Sequence, residues 1–255
     1  MDTVDRVLVK PRVHKIVVKE LAVRILDRRW TSGMALPTEP ELCEELNVSR
    51  SALREAIKVL GSKGLLTTRP RVGTVIQPTE NWNLLDEDLL RWSMDLAPSP
   101  QLVLSLIEAR QAIEPAAARL AASRASARDI DPIERAFDEM SRYKAEQDFE
   151  AFNNADIAFH TALLRASGNV VFHQLANMIG TALAYSFRVT MERAREPGAS
   201  LPNHGEVIER IRARDAEGAF ASMSRLLNIA VVDLGLGSGS FGTRFTDSAI
   251  SQEPT

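Results

Sequence analysis

"LPTEPELCEELNVSRSALREAIKVLGSKGLLTTRPRVGTVI", residues 36–76, decides the fold, because its hydrophobic period changes along its length. Thr38 and Glu41 stand at capping-box spacing, and Pro40 falls in the first turn, where a missing N–H costs nothing. The short helix they open is predicted to end at Asn47. Ser49 is a good N-cap for a second helix that runs to Gly61 or Gly64, with Leu53, Ile57 and Leu60 as its buried stripe. The period then switches. "LLTTR" and "GTVIQ" are short β-branched runs separated by "PRV", the pattern of a hairpin with Gly73 at its turn.

Upstream, "HKIVVKELAVRILDRRW" (14–30) repeats apolar residues at helical spacing, at Ile16, Val17, Leu21, Ile25 and Leu26, before Gly33 and Pro37 break it. Helix, short helix, helix, hairpin is the order of a winged helix-turn-helix. This domain is assigned to 14–77, preceded by a loose arm at 1–13 and followed by a polar linker at 78–83. Downstream the strand pattern disappears. Helices are predicted near 84–96, 100–124, 129–146, 149–167, 170–195, 204–213 and 215–234, with breaks at Pro98, Pro100, Pro132, Gly168, Pro197, Gly198 and Pro202. The expected fold is therefore mostly α: a winged helix-turn-helix, then an all-α antiparallel bundle over 84–234. The Gly/Ser-rich tail at 235–255 is expected to be disordered.

Apolar residues make up 45% of the 255 and charged residues 25%, the balance of an ordinary globular protein. No apolar run approaches the ~20 residues of a membrane span, and the N-terminus lacks the apolar core of a signal peptide. The single cysteine, Cys43, allows no internal disulfide and is read as a small packing residue. Cytoplasmic residence fits these features. Residues 1–78 hold 14 Lys/Arg against 9 Asp/Glu, whereas the remainder holds 17 against 25. A basic head on an acidic body points to a polyanion met by the head alone.

On the second helix of the head, Arg50, Ser51 and Arg54 face away from the apolar stripe. Long donors near the N-terminal end suit guanine edges, and short hydroxyls beside them suit phosphate. Arg69 and Arg71 of the hairpin are placed for phosphates or the adjacent minor groove.

The body carries a second constellation, in "NNADIAFHTALLRASGN" (153–169). Asp156 and His160 sit among Phe152, Phe159 and Leu163 on one helical face, although an unpaired core carboxylate is expensive. They are either a buried ion pair or two ligands of one metal. His204, at the start of another helix, adds an imidazole, and two imidazoles with a carboxylate suit a borderline divalent ion such as Zn²⁺ or Ni²⁺. His14 and His173 lack such partners. Arg110 lies on the inner stripe Val103, Leu106, Arg110, Ile113, Ala117, Leu120. It either bridges to a core acid, Asp156 being one candidate, or grips the carboxylate of a small ligand. Trp82 and Trp92 are read as packing anchors.

The stretch 36–76 resembles the DNA-binding domain of the GntR family of bacterial transcription regulators. That resemblance implies helix contacts to the major groove by Ser49, Arg50, Ser51 and Arg54, with Arg71 and Gly73 at the wing. Many relatives carry an arginine where this chain has Pro40, so one operator contact differs. The segments "EARQAIEPAAARLAA", "ADIAFHTALLRASGN" and the helix of His204 are similar to the FCD effector domain of the FadR-type branch. In that domain an Asp, the His four residues on and two further His hold a metal beneath a carboxylate. Asp156, His160 and His204 match the first three. Near the fourth, in "SMSRLLN", this chain offers Leu226 and Asn228, with Asn228 taken as an effector contact beside Arg110. Either water and effector complete the shell, or metal binding is weak and Arg110 carries the site.

"ENWNLLDEDLLRWSMD" with "IEARQAIEPAAARLAA" is similar to the galactonate-responsive repressors of sugar-acid catabolism. The resemblance implies a homodimer on a two-fold symmetric DNA operator, a sugar acid as effector, and Zn²⁺ as the metal, with Ni²⁺ or Mn²⁺ as alternatives. The competing readings are a metal-dependent enzyme and a regulator that answers an acyl thioester or another hydroxy acid.

Overall fold

The computed structural model describes residues 11–96, 100–191 and 198–233, and the chain forms two compact units that divide at residue 98. The first contains α1 (Pro11–Leu26), α2 (Glu39–Leu46), α3 (Arg50–Ser62), β1 (Leu66–Arg69), β2 (Gly73–Ile76), a 3₁₀ turn at Thr79–Asn81 and α4 (Glu87–Asp95). Leu21, Ile25, Leu42, Leu53, Leu60, Leu65 and Ile76 form its sealed interior.

Local chemistry sets the boundaries. Glu41 accepts from the Thr38 backbone N–H at 2.7 Å and from its hydroxyl at 2.8 Å, which opens α2. Asn47 closes it in the left-handed conformation (φ 49°), a role its short amide tolerates. Ser49 Oγ accepts from Ala52 N at 3.2 Å and so caps α3. In the hairpin, Arg69 pairs with Gly73 and Leu66 with Ile76, in antiparallel register. The tip turns through Arg71 (φ 64°) and Gly73 (φ 96°), and Ala35 adds a bridge to Val75. Cys43 packs against the core, as the sequence reading expects.

The segment read as a linker (78–83) and the helix assigned to the body from residue 84 both depart from that reading. Trp82 packs on the first unit, its Nε1 donating to Gln77 O at 3.0 Å, and Asn83 N donates to Lys63 O at 2.9 Å. In α4, Leu89 and Trp92 complete the same core, and Lys63 Nζ donates to Asp86 at 2.6 Å and Asp88 at 3.3 Å. An amphipathic helix buries its apolar stripe on whatever core lies next to it, and here that core belongs to the head. Trp82 and Trp92 are packing anchors, as expected.

The second unit is all helical among the described residues: α5 (Pro100–Arg124), α6 (Ala127–Glu146), α7 (Phe149–Ala166), α8 (Val170–Gln174), α9 (Ala176–Met191), α10 (Leu201–Arg212) and α11 (Ala216–Asp233). Helix α6 packs on α7, α5 on α11, α10 on α11 and α7 on α9. Asp148 caps α7 by accepting from Ala151 N at 3.0 Å. Pro132 does not end a helix. It lies inside α6, which continues because Ile130, Ile133, Ala136 and Met140 bury one face and outweigh one lost backbone bond. Pro202 falls in the first turn of α10, which starts at Leu201 rather than 204. The single helix expected over 170–195 is two, separated at Leu175, and its last four residues lie outside the described part. The arm expected at 1–13 is helical from Pro11. Its first ten residues and the tail at 235–255 lie outside the described residues. Among the described residues no helix is long and apolar enough to cross a membrane.

Candidate functional site

Three elements of the second unit bring charged and polar side chains into its interior. Helix α7 turns Phe152, Phe159 and Leu163 inward, and the same face carries His160, only 2% exposed, and Asp156, 16% exposed at its side chain. Helix α10 delivers His204 in its first turn, 2% exposed. Helix α5 supplies Arg110 and, one turn on, Glu114, which is fully buried.

The two imidazoles meet Nε2 to Nε2 at 3.3 Å. Asp156 Oδ1 lies 2.9 Å from His204 Nε2 and 3.8 Å from His160 Nε2. Phe159 seats both rings edge-on, at centroid distances of 5.4 Å and 4.9 Å. The outer nitrogens are committed. His160 Nδ1 donates to Glu114 Oε2 at 2.5 Å, and His204 Nδ1 donates to Ser200 O at 3.0 Å. An ionised carboxylate and a carbonyl oxygen only accept, so each Nδ1 carries a proton, and each inward-facing Nε2 holds either a lone pair or a second proton. Two lone pairs and a carboxylate oxygen aimed at one point require a cation among them, either a proton or a metal ion.

Ligand atoms ~2.1 Å from a common metal stand about 3.0 Å apart at octahedral and about 3.4 Å apart at tetrahedral angles. The observed 2.9, 3.3 and 3.8 Å bracket those edges. The outer bonds match the usual support of metal-bound imidazoles, a carboxylate on one and a backbone carbonyl on the other. The donor set fits a divalent ion. Asp156, His160 and His204 also form the one metal-type cluster of three such side chains among the described residues.

Burial alone would raise the pKa of Glu114, but the charges of Arg110 and His160 override it and bring it down to about 2. Asp156 follows the same logic: burial opposes ionisation, and the His204 hydrogen bond with the charges of His160, His204 and Arg110 brings it to about 2.

Arg110 is 4% exposed, and its Nε donates to Glu114 Oε1 at 2.6 Å. Its core acid is thus Glu114, four residues on along the same helix, and not Asp156. Sequence reading passed over Glu114, although its i, i+4 spacing from an inward arginine was the signal. Asn228 does not line the cluster. It is exposed and its Oδ1 accepts from Gln111 at 2.9 Å, because the inward stripe of α11 runs through Ser222, Met223, Leu226 and Leu227. Leu226, near the expected fourth ligand, is 3% exposed and packs in the core. His173 is exposed and His14 half-buried in the first unit.

On the head, Ser49, Arg50, Ser51, Arg54, Arg69, Arg71 and Gly73 are all exposed. Three side chains are already engaged: Ser49 as the α3 cap, Ser51, whose Oγ shares a hydrogen bond with Ser49 Oγ at 3.1 Å, and Arg54, whose Nε lies 3.0 Å from both carboxylate oxygens of Glu39. Pro40 occupies the first turn of α2 beside Glu39.

Two family models match the chain: bacterial regulatory proteins of the gntR family over 14–76, and the FCD domain over 105–228. The galactonate operon transcriptional repressor of Escherichia coli K12 is 36% identical over 205 residues, covering 80% of this chain and 88% of that protein. The regulator LutR of Bacillus subtilis is 34% identical over 158 residues, covering 62% and 69%. Lar, described as controlling the Listeria monocytogenes agr system, shares the fold at 18% identity, with a TM-score of 0.61 and coverage of 87% and 96%. The chain is therefore a transcription regulator of the GntR family, with an FCD domain behind its winged helix-turn-helix, and not an enzyme.

Proposed function

We propose that this regulator is a repressor of sugar-acid catabolism that leaves its operator when a small carboxylate binds beside a metal held by Asp156, His160 and His204. The observation that carries the reading is the convergence of two inward-facing Nε2 atoms and a carboxylate, with a buried arginine next to them. Sequence similarity to a galactonate operon repressor supports a polyhydroxylated acid as the class of effector. Zn²⁺ suits the nitrogen-rich donor set, with Ni²⁺ or Mn²⁺ as alternatives, and when bound the ion supplies a Lewis-acid contact for a ligand carboxylate.

The chain's own residues do the rest. Glu114 fixes the His160 tautomer, Ser200 O fixes that of His204, and Phe159 seats both rings. Arg110 offers the fork geometry that carboxylates prefer. Arg50, Ser51 and Arg54 read base edges and phosphates from α3, Ser49 and Gly73 line the contact, and Arg69 and Arg71 reach the backbone from the wing. The protein works as a homodimer on a two-fold symmetric operator in the cytoplasm. The acid releases DNA only to the extent that it prefers the arrangement that cannot bind the operator.

The test is a gel shift with the full chain and its upstream DNA. Galactonate added to Zn²⁺-loaded protein is expected to free the operator, and the His160→Ala and His204→Ala variants are expected to bind DNA but ignore the acid. Release by acyl thioesters alone, or no response to any aldonate, overturns the reading.

A further inference from the structure

We propose that Glu114 sets the charge of the effector site so that it takes a singly charged acid and turns away a doubly charged one. The inference rests on the metal-and-carboxylate reading above.

Glu114 is unusual among the buried groups because both of its oxygens are spoken for. Oε1 accepts from Arg110 Nε at 2.6 Å and Oε2 accepts from His160 Nδ1 at 2.5 Å. It therefore joins the arginine that would meet a ligand to the imidazole that would meet a metal. Its side chain is 0% exposed, so its charge is answered inside the protein and not by water.

The charged side chains brought together here, among the described residues, are Arg110, Glu114 and Asp156, with both histidines neutral as ligands. They sum to one negative charge. A divalent cation turns that into one positive charge. One carboxylate then neutralises the site, whereas a second would be buried without a counter-charge. Without Glu114 the loaded site would carry two positive charges and would favour a dianion. In metal-free protein the same count is negative, or zero with a proton shared between the rings, and leaves no positive charge for either acid.

Galactonate and galactarate test this directly, since they share stereochemistry and differ only in whether the last carbon is an alcohol or a second carboxylate. Calorimetry on the Zn²⁺-loaded full chain is expected to give galactonate about a tenfold or greater advantage. The Glu114→Gln variant should move that ratio by about tenfold towards galactarate, and Glu114→Asp, which keeps the charge, should hold the wild-type preference. Chelator-treated protein should bind neither. Zinc titration of each variant separates lost charge from a lost metal.

Galactarate binding as well as galactonate in the wild type overturns the proposal, whether or not the variants fold. An unchanged ratio in zinc-loaded Glu114→Gln overturns it too. If neither sugar acid binds, the sugar-acid reading fails separately, and lactate against tartronate, another pair differing by one carboxylate, decides the charge rule. A preference for lactate upholds it. Equal binding, or none of the four acids binding, defeats it.

Discussion

His160 and His204 point their Nε2 atoms at each other across 3.3 Å, while each Nδ1 donates to an oxygen outside the pair. A cation between them, a proton or a metal ion, holds that arrangement. Zn²⁺ is expected to raise the melting temperature of chelator-treated protein in a concentration-dependent way, with about 2.7 kcal/mol of added stability at a hundredfold excess over Kd. His204→Ala should abolish the shift. An equal shift in that variant would place the ion elsewhere.

The exposed arginines of the head should separate by role. Arg50→Ala is expected to cost about 1–3 kcal/mol of discrimination between operator and random DNA, since it stands where α3 can meet base edges. Arg71→Ala should weaken binding to all sequences and reduce the salt slope by about 1. Anisotropy titrations at several salt concentrations read both, and identical profiles for the two variants would contradict the assignment.

Arg54 is held before any DNA arrives, by Glu39 at 3.0 Å. Both side chains are exposed, so the pair itself adds little stability. Its consequence is for binding. Glu39→Gln releases the guanidinium and removes a negative charge beside a phosphate site, so affinity for random DNA should rise, and rise most at low salt. Unchanged affinity would mean that Arg54 stays clear of the duplex.

What the sequence disclosed follows from how local each signal is. The α2 cap, the Ser49 cap and the change of period at Leu66 are written within a few residues, and the structure matches them. Asp156 and His160 were legible because four residues on a helix put two side chains on one face, and His204 because it opens a helix whose Val207, Ile208 and Ile211 mark the buried side. Glu114 obeys the same spacing from Arg110, but i, i+4 Arg–Glu pairs are also common on solvated helix faces, so spacing alone does not carry it into the core. The fates of residues 78–95 and of Asn228 were not legible. A polar, proline-bearing segment is written alike whether it hangs free or docks, and only the tertiary position of Leu89 and Trp92 decides. Asn228 stands one step off the buried Leu226 and Leu227, and that step turns it to solvent.

Gly64 tests the docked segment. It adopts φ +81°, and a Cβ there would sit 2.1 Å from Asn81 O and 3.2 Å from Trp82 Cα. Backbone on the far side leaves no flexible side chain to yield. Gly64→Ala should therefore cost more than the ~1 kcal/mol of left-handed strain alone and lower the melting temperature by several degrees. Faster proteolysis between 78 and 86 should accompany it, and a variant as stable as wild type would show that the docking is dispensable.

Lys63 completes the attachment. It is 9% exposed, donates to Asp86 at 2.6 Å and lies 5.7 Å from the Trp92 ring. Burial would raise the pKa of Asp86, but the Lys63 ammonium and the Leu89 N–H hold it below the ordinary carboxylate value. A carboxyl depressed in the folded state stabilises it above the unfolded pKa of about 3.9, and that contribution is lost as pH falls through the folded value. Lys63→Met keeps the apolar stem and removes the charge, so it should destabilise the chain by about 1–3 kcal/mol at neutral pH. As pH falls below about 4 and through the depressed pKa of Asp86 the wild type loses that contribution, so the gap between the two proteins should narrow. Urea unfolding at pH 7 and pH 3 measures both differences, and a gap that stays constant with pH would mean that the loss in Lys63→Met does not come from the Lys63–Asp86 ion pair.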